Sequence, residues 1–131
     1  MLSGEDAGKK TAKLVSVKNK KAAKLTVPAT VKINGVTCTV TEVGANVMKG
    51  NTKLAKVILG KNVVTVGKNA FYGCKKLKTV QVKGKVLKNI KSGAFKKTSA
   101  KLKVSAKKLT KKQKAALLKK IKKAGNKKAA L

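Results

Sequence analysis

The sequence predicts a β-rich α/β solenoid, a short right-handed coil of about three turns with an N-terminal β-hairpin section and a C-terminal capping α-helix. Three observations predict this fold: a repeat at a fixed offset of 23 residues, an Asn-Gly turn between strand-forming segments, and one amphipathic segment with a helix-capping signal. A unit of this length is too small to bury its own apolar face, so neighbouring units must stack around a common core.

The first segment, residues 1 to about 10, is polar and shows no apolar periodicity. We interpret it as a flexible tail. The remaining residues, 11–131, are predicted to form one domain, because a chain of this length supports a single core that buries roughly two thirds of its unfolded surface.

Strands and a hairpin are predicted over residues 11–42. Leu25 and Val27 match the strand of the first repeat at an offset of 32, which is one repeat plus nine residues. The nine extra residues fit an insertion around Asn34 and Gly35. An Asn-Gly pair between segments rich in Val, Ile and Thr predicts a tight hairpin, since both central residues must take positive φ.

The repeats are predicted over residues 43–104. The first copy contains Val43, Gly44, Asn46, Val47, Met48, Gly50, Leu54, Val57 and Leu59. The second copy has Val66, Gly67, Asn69, Ala70, Phe71, Gly73, Leu77, Val80 and Val82 at the same positions. A third copy, at an offset of 24, includes Ile90, Gly93, Ala94 and Phe95. Its second half is predicted to be shortened, because Leu102 and Val104 match the second-copy strand at an offset of 22.

A helix is predicted from Thr110 to Gly125, within a C-terminal cap of residues 105–131. Thr110 and Gln113 have the spacing of a capping box, and Gly125 suits a left-handed helix end. Four apolar residues at helical spacing form one face: Leu117, Leu118, Ile121 and Ala124. We interpret the helix as a cap over the open end of the solenoid. A basic amphipathic helix that lies on a membrane or in a partner's groove is the alternative.

The run of residues 67–80, Gly-x-Asn-Ala-Phe-Tyr-Gly-Cys-Lys-Lys-Leu-Lys-x-Val, resembles the BspA-type leucine-rich repeat of bacteria. The resemblance covers roughly residues 25–104. It implies a leucine-rich-repeat coil with one short strand per repeat on the concave face and a turn or short helix behind it. It also implies a bacterial surface or secreted protein that binds proteins or host ligands and shares no catalytic site.

The outer copies depart from that pattern. Val47 and Met48 replace Ala-Phe in the first copy, and Asn51 replaces its Cys. In the third copy Lys97 and Thr98 replace Gly and Cys. These departures indicate edge repeats, with residues 63–85 as the complete interior unit.

Charge is the dominant feature of the composition. All 35 basic residues are Lys, the acidic residues are Glu5, Asp6 and Glu42, and the net charge is +32. Such a charge favours association with polyanions. Lys lacks the planar fork with which Arg reads phosphate and guanine, so sequence-specific nucleic-acid binding is disfavoured, although diffuse electrostatic binding is not. A solvated lysine coat with no partner is the alternative.

Catalysis, metals and cofactors are not expected. The chain has no His, and the two cysteines, Cys38 and Cys74, have no Cys-x-x-Cys spacing. Cys74 occupies a repeat position that favours a small buried residue, so core packing is predicted. Glu42 is the one carboxylate outside the tail, and a solvated role is favoured for it over general acid or base work.

The concave face is the predicted binding face. If the apolar strand residues point inward, alternation turns their neighbours outward. The predicted face consists of Lys56, Ile58, Thr79, Gln81, Lys101 and Lys103. An ordinary wet sheet face is the alternative. A second basic surface, at Lys75, Lys76 and Lys78, follows Cys74.

Three functions are compatible with these observations. The first is a non-enzymatic binding or adhesion module that interacts with proteins or anionic polymers such as wall polymers and host glycans. The second is a nucleic-acid-associated basic protein, and the third is a structural terminal cap or spacer. No stretch approaches the ~20 apolar residues of a membrane span, and the N-terminus lacks the apolar region of a signal peptide. We therefore expect a secreted or cell-surface module within a longer exported chain, or a cytoplasmic protein if the chain is complete as given.

Overall fold

The computed structural model describes residues 2–6, 10–15 and 21–131. In this part of the chain it contains ten strands and one helix. The strands are β1 (Leu2–Asp6), β2 (Thr11–Leu14), β3 (Lys24–Val27), β4 (Thr30–Ile33), β5 (Val36–Val43), β6 (Lys56–Leu59), β7 (Thr65–Val66), β8 (Thr79–Val82), β9 (Asn89–Ile90) and β10 (Lys103–Ser105). The helix α1 spans Lys111–Lys123.

One sheet carries a strand from each repeat. Its four strands are all parallel and lie in the order β10, β8, β6, β3. One inward row of this sheet consists of Leu25, Val57, Val80 and Val104. Parallel pairing of segments one repeat apart confirms the predicted solenoid, and β3 adds a strand to it at the offset of 32 found in the sequence.

The second sheet lies on the other side of the core, pairs Val43, Val66 and Ile90 of the successive repeats, and contains the hairpin. Its order is β1, β2, β5, β7, β9, and β4 pairs antiparallel with the first half of β5. Ile33 faces Val36 across the turn, and φ is 51° at Asn34 and 79° at Gly35. Both central residues have positive φ, so the hairpin predicted from the Asn-Gly pair is confirmed.

Backbone hydrogen bonds also join the turns of successive repeats. The N–H of Met48 donates to the carbonyl of Ala70 (2.8 Å), and the N–H of Phe71 donates to that of Ala94 (2.9 Å). The N–H of Phe95 continues the series to Ala124, at the end of α1 (3.2 Å). The helix end therefore stands where the next repeat would stand.

The repeated Asn has a backbone role in these turns. Asn46 and Asn69 have φ values of 61° and 56°, and Gly93 occupies the same position of the third repeat with φ 74°. Asn and Gly are the residues that tolerate this left-handed conformation best. A Cβ at Gly93 would in addition collide with Oδ1 of Asn69. The left-handed conformation thus explains why this position holds Asn or Gly, and the close approach of Asn69 explains why the third repeat has Gly.

The core runs continuously between the two sheets. Phe71 and Phe95 are buried and stack with a centroid separation of 5.5 Å, and Met48 is buried at the equivalent position of the first repeat. Leu54, Leu77 and Leu102 are fully buried. The remaining core consists mainly of Val and Ala, as the low aromatic content of the sequence requires.

The predicted shortening of the third repeat is wrong. Val104 pairs with Val80 and Lys103 with Thr79, so the offset stays at 24 through β10. Leu102 lies before the strand and takes the place of Leu77.

A pair of compensating changes in the turn explains the error. The N–H of Leu102 donates to the carbonyl of Ser99 (3.1 Å), as that of Leu77 donates to Cys74 (3.0 Å). One residue is therefore added before Leu102 and one is missing after it. Because side chains alternate along a strand, a shift of two residues leaves the apolar pattern unchanged, and the pattern alone cannot detect it.

The N-terminal segment contains a strand that was not predicted. Leu2–Asp6 forms β1, which pairs antiparallel with β2. Main-chain hydrogen bonds to the edge of β2 do not depend on an apolar pattern in β1, so this strand has no apolar signature by which it could be predicted. Flexibility of this segment stays a prediction, and residues 7–9 lie outside the described part of the chain.

The C-terminal cap is confirmed. Thr110 is the N-cap of α1, and both hydrogen bonds of its capping box with Gln113 are present (3.2 and 2.9 Å). Leu117, Ile121 and Ala124 are buried against the core, and Leu118 is half-buried. After the helix the chain returns to the sheet, where Ala130 forms a parallel bridge with Lys103.

Candidate binding face and adjoining cleft

The outer face of the β3–β6–β8–β10 sheet presents two rows of side chains. The row near the amino ends consists of Lys24, Lys56, Thr79 and Lys103. The row near the carboxyl ends consists of Thr26, Ile58, Gln81 and Ser105. The structure therefore brings together five of the six residues predicted for the binding face.

Lys101 is the exception. It lies in the turn before β10, where its N–H donates to Oγ of Ser99 (3.1 Å). Its place in the row was predicted from the shifted register of the third repeat, and Lys103 and Ser105 hold the positions beside Thr79 and Gln81. Ser105 was missed for the same reason, and the correct offset of 24 would have identified it.

The row at the carboxyl ends opens into a cleft of about 430 Å³. Ile58 points to this outer face but is only 8% exposed, because the surrounding residues cover it. The lining residues are Thr26, Val27, Pro28, Ala29, Ile58, Gly60, Lys61, Gln81, Val82, Lys83, Ser105, Lys107 and Lys108. This volume is in the usual range for ligand-binding pockets, about 300–1,000 Å³.

The composition of the cleft divides it into a floor and a rim. Ile58, Pro28 and Val82 supply apolar surface, and hydroxyl and amide groups come from the sheet. Four exposed lysines come from the turns that follow the strands: Lys61, Lys83, Lys107 and Lys108. An apolar floor with cations around it suits a ligand that combines apolar groups with negative charge.

Among the side chains that the structure describes, no carboxylate lines the cleft. Glu42, the one acidic residue whose side chain is described, lies in the other sheet and forms an ion pair with Lys13 (3.3 Å). The positive potential of the rim is therefore not neutralised locally, and it attracts anionic ligands.

Cys74 is a core residue, as predicted. It is fully buried, and its thiol donates to the carbonyl of Met48 (3.1 Å). Burial raises the pKa of the Cys74 thiol to about 11, although a hydrogen bond with the backbone of Asn51 acts in the opposite direction. A thiol with a raised pKa is a poor nucleophile at neutral pH. Cys38 is also a buried free thiol.

Other surfaces of the described residues carry fewer features. Lys75, Lys76 and Lys78 are exposed, as a second basic surface requires. The ammonium groups of Lys49 and Lys97 lie 5.5 and 5.7 Å from the centroid of the Tyr72 ring. Within residues 2–6, 10–15 and 21–131 no cluster of three or more metal-binding side chains occurs. The helix found in this part of the chain is not of a length and hydropathy that could cross a membrane.

Comparisons with known proteins agree with this geometry. The family model of the BspA type leucine rich repeat region matches residues 18–122 in six copies. A comparison with curated protein sequences gave no significant match.

Solved structures show the same fold. A leucine rich cell surface protein from Faecalibacterium prausnitzii is similar with a TM-score of 0.67 and 26% identity, over 81% of this chain and 31% of that chain. A leucine-rich repeat protein from Bacteroides ovatus gives a TM-score of 0.59 and 15% identity, over 81% of this chain and 35% of that one. The leucine rich repeat protein of T. pallidum gives a TM-score of 0.51 and 18% identity, over 79% of this chain and 60% of that chain. This chain thus spans about a third of the first two proteins.

Proposed function

Because the chain belongs to the BspA-type leucine-rich-repeat family, we propose that it is a non-enzymatic adhesion module of a bacterial surface or secreted protein. The family and the surface-protein relative support an interaction module. We further propose that its ligand is an acidic protein segment or an anionic polymer, bound at the outer face of the β3–β6–β8–β10 sheet.

The cleft at the carboxyl ends of the strands is the observation that supports this ligand class. Its rim carries Lys61, Lys83, Lys107 and Lys108, and Ile58 lies in its floor. Two carboxylates of a bound segment would face the rim while an apolar side chain covers the floor. Apolar contact supplies affinity, and the lysines supply fast association and preference for anions.

Nucleic acid fits the described surface less well. Single-stranded nucleic acids bind through exposed aromatic rings that stack on bases. Phe71 and Phe95 are buried, and Tyr72 is half-buried with two lysine ammonium groups near its ring. Diffuse binding through lysines is the form of this alternative that the test must exclude. A cap or spacer without any ligand is the other alternative.

Binding titrations over a range of salt concentrations test the proposal. The probes are a peptide of alternating Glu and Leu, a peptide of the same charge with Ser in place of Leu, poly(glycerol phosphate), heparin and duplex DNA. Contacts that are purely electrostatic weaken steeply as salt rises. We expect the Glu/Leu peptide to retain affinity at physiological salt, where the Glu/Ser peptide and DNA have dissociated.

Two charge-reversal variants locate the site. Lys83→Glu with Lys107→Glu changes the rim, and Lys75→Glu with Lys76→Glu makes the same charge change on the second basic surface. The rim variant is expected to lose about tenfold or more in affinity for the Glu/Leu peptide, and the control about twofold or less. Equal losses in both variants would show that the lysines form a generic coat.

A further inference from the structure

A second groove lies at the edge of the second sheet, between β9 and α1. It has a volume of about 450 Å³ and is separate from the cleft of the first sheet. We call it the β9 groove. The residues that line it are Lys88, Asn89, Ile90, Lys91, Ser92, Lys120, Lys123 and Ala124. No residue of this set belongs to the candidate binding face.

One wall of the β9 groove is the edge of a parallel sheet. β9 is the last strand of its sheet in the described part of the chain, with β7 on its other side. The N–H groups of Asn89 and Lys91 donate to the β7 side, to the carbonyls of Val64 and Val66 (3.0 Å each). Because backbone groups alternate in direction along a strand, the N–H and C=O of Ile90 point toward the groove.

The carbonyl of Lys88 also points to this side, and Lys120 covers it. Nζ of Lys120 in α1 donates to the carbonyl oxygen of Lys88 (2.7 Å). A lysine at a strand edge discourages uncontrolled strand pairing. Its ammonium group occupies the position that the N–H of an added strand would take.

The charge of the β9 groove has one sign. Lys88, Lys91, Lys120 and Lys123 are all exposed, and no carboxylate lines the groove among the described side chains. The other wall is the last part of α1, which also carries Lys122. Any segment that pairs with β9 must therefore tolerate several ammonium groups close to it, and acidic side chains meet this condition.

We propose that the β9 groove binds an extended acidic segment of a partner protein by strand addition. The backbone of the segment pairs with the N–H and C=O of Ile90, and one of its N–H groups replaces Nζ of Lys120 at the carbonyl of Lys88. The released ammonium group then pairs with a carboxylate of the segment. Main-chain pairing supplies affinity in this binding mode, and the lysines select for acidic side chains.

The choice of a peptide over an anionic polymer rests on the backbone. A glycan or teichoic-acid-like polymer can neutralise the lysines, but it has no regular series of N–H and C=O groups to pair with Ile90. A backbone-modified peptide of unchanged charge separates these ligands.

The first experiment uses two labelled peptides of alternating Glu and Val, measured by fluorescence anisotropy. They are identical except that one is N-methylated at every second residue, on the edge that would face β9. N-methylation removes backbone donors and leaves the charge unchanged. We expect the unmodified peptide to bind at least about tenfold more tightly to the wild-type chain. Equal affinity of the two peptides would overturn strand addition and leave an electrostatic patch.

A pair of variants at Ile90 tests the same contact from the protein side. Proline at an edge strand removes an N–H without breaking the ladder, provided that this N–H faces outward. Ile90→Pro is therefore expected to lose about tenfold in peptide affinity, whereas Ile90→Ala, which keeps the N–H and loses similar packing, is expected to change it by less than about threefold. Equal affinities of the two folded variants would also overturn the proposal. If Ile90→Pro does not fold, the methylated peptide decides the question without it.

Lysine variants keep this proposal distinct from the proposed function. Lys91→Ala with Lys123→Ala is expected to reduce the preference of the chain for the unmodified Glu/Val peptide over the N-methylated one. Lys83→Glu with Lys107→Glu at the cleft is expected to leave this preference in place, even where it lowers the affinity for both peptides. The reverse pattern would place the peptide in the cleft and overturn strand addition at β9, while supporting the function proposed for the first sheet.

Discussion

One position of the repeat holds a different side chain in the interior of the coil than at its two ends. The position lies three residues before the buried Leu54, Leu77 or Ala129. The interior repeat has Cys74 there, whereas the ends have Asn51 and Asn126, the two buried polar residues of the described chain.

The hydrogen bonds of these residues show why the ends need an amide. Nδ2 of Asn126 donates to the carbonyl of Ser99 (2.9 Å) and to Oγ1 of Thr98 (2.7 Å), and Oδ1 accepts the N–H of Lys128 (3.0 Å). Nδ2 of Asn51 donates to the carbonyl of Ala22 (3.1 Å), and its Oδ1 accepts two N–H groups. At the interior position the thiol of Cys74 donates one hydrogen bond, to the carbonyl of Met48.

A buried backbone group without a partner is costly, so the ends must satisfy groups that a regular neighbouring repeat would otherwise pair. The comparison teaches that the interior is held mainly by apolar burial, whereas the ends depend on hydrogen bonds of single side chains.

The largest expected effect is at the interior core. Phe71→Ala is expected to lower the free energy of unfolding by about 3–5 kcal/mol, because it removes a fully buried ring that stacks on Phe95. Urea titration followed by circular dichroism measures the change. Tyr72→Ala is the control, since its half-buried ring lies outside the core and a loss of about 1 kcal/mol or less is expected. Similar losses for the two variants would contradict the register of the repeat.

A smaller effect is expected at the C-terminal end. Asn126→Ala is expected to lower the free energy of unfolding by about 1–3 kcal/mol, because backbone groups of Ser99 and Lys128 lose their partner. Cys74→Ala at the interior position is expected to cost about 1 kcal/mol. Urea titration again measures both. Asn126→Asp keeps the acceptor for Lys128 but sets a carboxylate oxygen against the carbonyl of Ser99, so it should not restore the stability that Asn126→Ala loses. A larger loss of unfolding free energy for Cys74→Ala than for Asn126→Ala would contradict the difference inferred between the interior and the ends.

A further effect appears only at high pH. Burial raises the pKa of the Cys74 thiol from its ordinary value of 9.0 to about 11. Below pH 9 the thiol is neutral in both folded and unfolded chains, so its full contribution to stability is present. Between pH 9 and 11 the unfolded chain releases this proton first, and stability is lost as pH rises toward the folded pKa.

The matched measurement compares wild type with Cys74→Ala from pH 8 to 11. Deprotonation of the lysines changes both chains in the same way, so the difference in unfolding free energy isolates the thiol. We expect the advantage of wild type to decrease over this interval. A constant difference would mean that the thiol is not desolvated in the folded chain.

The sequence predicted the features that depend on local chemistry. The Asn34-Gly35 turn, the capping box of Thr110 and the strand offsets of the first two repeats all follow from conformational preference or from apolar period. The predicted pairing of Leu25 with Val57 is also correct despite the nine-residue insertion, because the inserted residues form their own hairpin.

Features that depend on spatial neighbours were beyond the sequence. The register of β10 was off by two residues, which moved Lys101 onto the sheet face and left out Ser105. The cleft could not be predicted either, since its rim lysines come from turns far apart in the chain and no short motif joins them. Strand β1 was missed because its pairing uses main-chain groups alone.

The lysine row on the outer face has a consequence for the response of the fold to ions. Lys24 and Lys56 lie on adjacent strands, while Thr79 separates Lys56 from Lys103 by two strand spacings, about 10 Å. That distance is close to the Debye length at 0.1 M salt, so added salt relieves repulsion within the row and stabilises the folded chain. The same salt weakens the attraction of an anionic ligand. A bound polyanion would therefore serve as a fixed counterion, and it would stabilise the coil most at the ionic strengths where free ions stabilise it least.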